Sequence, residues 1–274
     1  MHTRFRAAVI AVVLLGIVGL LWVCWPAGAP EYGGKSLWAW VDQYYEARVG
    51  SKKPGTKEIA DEAQRALREI GTNALPALLD RVRLRRSPLR EQVVSQLKQR
   101  LGVTLPTQQY LHNRADWGFS MLREQGRPAI PDLMVLLRDP DPMVRGTAAR
   151  CLGHIGPDAA VAIPSLLPLL AERDNGLSIL HALDALREIH AQPERVIPAL
   201  LEFLNGSRTD WNYAEPALNV LRAYGTQATS AVPAIEAYLS HAERSKRRAA
   251  LHALDNIDPA AAARALKASP GLDD

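Results

Sequence analysis

At six places along this chain a small residue is followed four positions later by Leu: Ala63 and Leu67, Gly118 and Leu122, Ala148 and Leu152, Ala182 and Leu186, Ala217 and Leu221, and Ala250 and Leu254. Around these pairs apolar residues recur at i, i+3, i+4 and i+7, as in Ala148, Cys151, Leu152 and Ile155, which places them on one stripe of a helix. Downstream stand Pro76, Pro131, Pro164, Pro198 and Pro233, followed two residues later by Leu78, Leu133, Leu166, Leu200 and Ile235. Pro is tolerated in the first turn of a helix, where no backbone N–H partner is needed, so each Pro predicts the start of a second, outer helix. The last three Pro intervals are 33, 34 and 35 residues. A period of that size predicts stacked helix pairs, none able to bury its apolar face alone, each using its neighbours as core.

Gly71, Gly126, Gly156 and Gly225 close several of the units, where a helix C-terminus calls for positive φ. The interval from Pro76 to Pro131 is 55 residues, about 21 more than a repeat. Within it, 88–101 reads as the second helix of the first pair, and 102–113 as a non-periodic connection to a helix over 114–125. Residues 259–268, with four consecutive alanines, read as a capping helix.

The run from Asp139 to Gly156, Asp-Pro-Asp-Pro-Met-Val-Arg-Gly-Thr-Ala-Ala-Arg-Cys-Leu-Gly-His-Ile-Gly, resembles a HEAT repeat of the short kind shared with phycobilisome lyases. Other units are looser, with Arg247 matching Arg145. The resemblance covers about residues 60–258 and implies an all-α, HEAT-like α-solenoid of antiparallel helix pairs. It also implies a curved right-handed stack used for protein binding, with the second helices lining the concave side. A chromophore-lyase-related enzyme and a nucleic-acid-binding HEAT protein are the rival readings.

Before the repeats, Arg4 and Arg6 precede an uninterrupted apolar stretch from Ala7 to Trp25. Its 19 residues span about 28 Å as a helix, which fits a bilayer core. Trp22 and Trp25 suit the far interface, and the two arginines mark the near end as cytoplasmic. The reading is a single N-terminal transmembrane signal anchor in the cytoplasmic membrane of a bacterium, with the solenoid extracytoplasmic. Ala27-Gly28-Ala29 keeps open the alternative of a cleaved signal and a secreted or periplasmic product. Export in either form argues against nucleic acid as partner.

Residues 26–35, rich in Pro and Gly, read as a tether, and Ser36 as the N-cap of a helix over 37–47. Trp38, Trp40, Tyr44 and Tyr45 make that helix a cap over the first repeat or an exposed aromatic platform. The domain reading is therefore 1–25 anchor, 26–59 tether and aromatic capping helix, and 60–268 repeat solenoid.

The net charge of +4 makes an anionic partner plausible without choosing one. Arginine recurs one residue after the repeated Leu, at Arg68, Arg123, Arg187 and Arg222, and three residues earlier at Arg65 and Arg150. These six form the candidate partner-binding residues, for a protein acidic at the contact; the plainer reading is complementation of helix C-termini. A second basic run, Arg81, Arg83, Arg85, Arg86 and Arg90, reads as a solvated edge. Seven histidines without His-Glu-x-x-His pairing, and two cysteines without paired ligands, point to no metal site, catalytic residue or cofactor. The chain thus reads as a membrane-tethered scaffold or adaptor, with no small-molecule substrate.

Overall fold

A computed structural model of the chain describes residues 28–50, 55–172, 176–206 and 213–268. The expected anchor, 1–25, lies outside the described residues. The chain divides into two compact units, one ending at Ala77 and the other beginning at Leu78.

The first unit opens with a hairpin in place of the expected tether. Strands β1 (Glu31–Tyr32) and β2 (Lys35–Ser36) pair antiparallel, Glu31 opposite Ser36 and Tyr32 opposite Lys35. Gly33 and Gly34 have φ of 57° and 75°, and positive φ at both central residues is what a two-residue turn matching strand twist requires. Ser36 then caps α1 (Leu37–Tyr45), its hydroxyl accepting from the Ala39 N–H. Trp38, Trp40 and Tyr44 are buried with Leu37 and Val41, and α1 packs on α2 (Thr56–Ile70). Trp38, Trp40 and Tyr44 are therefore packed as a cap, while Tyr45 stays 39% exposed. Trp40 Nε1 donates to the Tyr32 carbonyl at 3.0 Å, and the Lys35 ammonium lies 4.2 Å from its ring centroid.

In the second unit the repeats follow the pattern of small residue and leucine. Helix α3 (Leu75–Val82) contains the unit boundary, between Ala77 and Leu78, and leads to α4 (Pro88–Leu101) and α5 (Gln108–Leu122). Then come α6 (Ile130–Leu136), α7 (Pro142–Ile155), α8 (Ile163–Leu166), α9 (Gly176–Ile189), α10 (Pro193–Asn205), α11 (Ala214–Tyr224), α12 (Val232–Ala237), α13 (Arg244–Ile257) and α14 (Pro259–Ala268). Helices α5, α7, α9, α11 and α13 pack successively side by side as one row, and α14 closes against α13.

All six repeated leucines are fully buried, as are the five residues two after Pro. The small residues before the leucines permit the close approach: a Cβ on Gly118 would lie 3.1 Å from Cδ1 and 3.3 Å from Cγ of Leu78. Asp141 caps α7 through the Met143 N–H, and Arg145 donates to the carbonyls of Asp139 and Pro140 at 2.7 and 3.1 Å. Arg247 repeats that clasp on the carbonyls of His241 and Ala242, both at 2.9 Å. The paired arginines thus hold repeat turns closed.

Four details depart from the sequence reading. Helix α5 starts at Gln108, because Thr107 caps it through the Tyr110 N–H, so the irregular connection is only 102–107. It also ends a turn early, at Arg123 with φ 51°, so Gly126 has no positive φ and serves instead as a contact for Ile155 and Phe119. Helix α10 starts at Pro193, leaving Pro198 inside it. Finally, α4 is not the packed second helix of the first pair: its Leu89, Val93 and Leu101 are exposed, and α5 takes that place, with Gly118 against Leu78 of α3.

Among the described residues the stretch Pro142–Ala171 is apolar and long enough to cross a membrane. It is broken by Gly156 at φ 80°, and its apolar side chains, Cys151, Leu152, Ile163 and Leu166 among them, form the buried core of the array.

Candidate protein-interaction face

The exposed side of the row formed by α5, α7, α9, α11 and α13 carries the polar residues between the core stripes, and on it the predicted arginines take different roles. Arg150 on α7 is half-buried and hydrogen-bonds Asp116 on α5, whose other oxygen accepts from His154 Nε2 at 2.9 Å. Asp116 is only 3% exposed, so a carboxylate set among Leu111, Ala115 and Phe119 joins two helices through two cationic or polar partners. Arg150 is therefore spent on the array itself. Asp116 was the missed partner; its one available sign is an acid inside an otherwise apolar register.

His181 on α9 borders the same cluster. Burial first, and the Arg150 charge second, pull its pKa down to about 4, and its Nδ1 packs against Gly146. Cys151 is fully buried, and burial pushes its thiol well above the ordinary range. A thiol held protonated is a poor nucleophile.

Arg187 is exposed and pairs on its own helix with Glu188 at 2.8 Å and Asp184 at 3.7 Å. Arg123 is exposed at the C-terminal cap of α5, where the chain leaves the helix, and so does not continue a helix-face stripe. Arg65 and Arg68 are exposed on α2 of the first unit. The second basic run is largely consumed: Arg83 pairs with Asp132 at 2.6 Å, Arg85 forks onto Asp139, and Arg86 pairs with Glu91 at 2.9 Å.

Arg222 differs. Helices α11 and α13 leave a groove of about 490 Å³ between them, lined by Glu215, Asn219, Arg222, Arg244, Arg248 and His252. None of the three arginines has an ion-pair partner among the described residues, and Glu215 is the single acid in the lining. Arg244 and Arg248 stand four apart on α13, hence on one face. They fall outside the two registers in which arginine recurs along the chain, so periodicity alone did not mark them. Guanidinium forks recognise carboxylates bidentately, which fits this groove to an acidic ligand. Among the described residues no group of three or more His, Cys, Asp or Glu side chains is placed to hold a metal ion.

The geometry defines a helical-repeat protein with a basic groove at one end of its packed row. Residues 119–187, covering α7, most of α9 and the turns between them, match the sequence profile of HEAT repeats. Among solved structures it is similar to the crystal structure of an engineered protein, at 20% identity, with 80% of this chain and 97% of that chain covered and a TM-score of 0.42. No curated protein matches its sequence.

Proposed function

We propose that this HEAT-repeat chain is a non-enzymatic scaffold that binds the acidic surface of another protein through its packed helix row, while residues 7–25 hold it in the cytoplasmic membrane with the array outside. HEAT repeats suggest a role in protein interaction. The observation that carries the acidic-partner reading is the groove in which Arg222, Arg244 and Arg248 lack ion-pair partners among the described residues. Elsewhere on the row arginines meet nearby acids, as Arg150 and Arg187 do, so the groove is where positive charge stays available.

The test is a photo-crosslinking residue at His252 in the groove, with a second at Val135, 71% exposed on α6, as the comparison. Irradiated membranes should yield a protein adduct from position 252 and none from 135. Equal adducts from both, or none from 252, would defeat the reading. Protease treatment of spheroplasts tests the topology: digestion of the array supports export, and full protection while outer-leaflet proteins are cut would place it inside.

A further inference from the structure

The groove between α11 and α13 has a spacing as well as a charge. Arg244, Arg248 and His252 recur at steps of four on α13, so they stand in one row with about 6 Å between successive members. All three are exposed, while Glu215, Asn219 and Arg222 of α11 are half-buried along the other wall. Glu215 to Arg222 is about 10 Å along its helix, and Arg244 to His252 about 12 Å. The positive charges are therefore strung along the groove and not gathered at one point. A single phosphate would meet only some of them at a time.

Elsewhere in this chain a guanidinium takes one carboxylate side-on through Nε and a terminal nitrogen, as Arg85 does with Asp139, Arg86 with Glu91 and Arg145 with Glu172. By that stoichiometry Arg244 and Arg248 call for two carboxylates about 6 Å apart. In an extended peptide, residues i and i+2 project to the same side about 6.6–6.8 Å apart, and residue i+1 projects to the other. An acid at every second position thus meets the α13 row in register. The intervening side chains face α11. Ala217 and Ala250 are repeat equivalents, which sets Glu215 level with Arg248. A carboxylate at the intervening position would be driven against Glu215, so an unbroken acidic run is disfavoured there. A helical ligand is too large: two turns, about 10–12 Å across, fill roughly 1,000 Å³ against the groove's 490 Å³.

We propose that the groove takes an extended segment of the partner protein in which acidic residues alternate with uncharged or basic ones, Arg244 and Arg248 each forking one carboxylate. This rests on the acidic-partner reading above and adds the form and spacing of what is bound. Glu215 then acts as the specificity element, rejecting acids that are adjacent in sequence. At the far end Arg222 leaves room for an acid on the α11 side of the strand as well.

The experiment uses the full chain in detergent micelles at low salt and two end-blocked peptides of equal composition and charge, Gly-Asp-Ser-Asp-Ser-Asp-Gly and Gly-Asp-Asp-Asp-Ser-Ser-Gly. Each carries an N-terminal benzophenone, and the concentration giving half-maximal photo-adduct is read. The alternating peptide should reach it at a concentration about threefold or more lower. Arg244→Gln/Arg248→Gln should erase that preference, and Glu215→Gln should narrow it by admitting the blocked peptide. Equal half-maxima in the parent overturn the inference and leave the acidic-partner reading standing. So does the absence of adducts with either peptide while the probe at position 252 still captures a protein. Inorganic phosphate that competes at the same concentration as the alternating peptide overturns it in favour of a single oxyanion site. No capture at position 252 and no peptide adduct overturn the reading and the inference together.

Discussion

Leu186 and Arg187 are neighbours in sequence with opposite consequences for stability. Leu186 is fully buried between α9 and its neighbours, so Leu186→Ala removes apolar atoms from the core and leaves a cavity. Such changes cost about 2–5 kcal/mol. The Arg187 side chain is 43% exposed, and its partners Glu188 and Asp184 are 46% and 62% exposed. Solvent-exposed pairs of this kind contribute about 0.2–1 kcal/mol each, so Arg187→Ala should stay within about 1 kcal/mol of the parent. For a unit of this size each kcal/mol shifts the midpoint by about 2–4 °C. Urea and thermal unfolding followed by far-ultraviolet circular dichroism should therefore separate the two variants by roughly 2–20 °C. If Leu186→Ala unfolds with the parent and Arg187→Ala falls sharply, the faces of α9 have been assigned backwards and the packing account fails.

Gly118→Ala should destabilise by about 1–3 kcal/mol, because the added Cβ enters the space of Leu78, and Gly118→Ala/Leu78→Ala should lose less than the sum of the single changes; strict additivity would refute the contact. His181 titrates at about 4 in the folded chain against about 6.5 unfolded, so the unfolded chain takes up the proton first. Its contribution is therefore intact above about pH 6.5 and is lost as pH falls towards 4, by roughly 1–3 kcal/mol, and His181→Gln should flatten that part of the urea-midpoint profile. Asp139→Ala removes the acceptor of Arg85 at the root of α4, so trypsin cleavage at Lys98 and Arg100 should accelerate well before the core melts; unchanged cleavage would show that the root does not hold the helix.

The array was legible because its information is periodic. Leu152, Leu186 and Leu221 recur with their small partners at fixed spacing, and burial demands that spacing wherever helices stack. Ser36 as a cap and 88–101 as a helix were equally local and came out as read. Distant partners were not legible. Whether Arg150 is free depends on Asp116, 34 residues away, and the Arg85 pair spans 54. The same holds for α4, since local periodicity makes a helix but only the tertiary arrangement decides what covers it. Gly33-Gly34 was a missed local signal, since two glycines between extended residues form a hairpin turn.

The central claim, that free arginines between α11 and α13 receive an acidic protein, is tested by reversing them together. Each exposed pair contributes about 0.2–1 kcal/mol and reversal replaces attraction with comparable repulsion, so Arg222→Glu/Arg244→Glu/Arg248→Glu should remove roughly 1–6 kcal/mol. Measured against the protein captured from position 252, affinity should fall tenfold or more, with helicity retained and parental binding weakening as salt is raised. Parental affinity in the triple variant, insensitive to salt, would contradict the account.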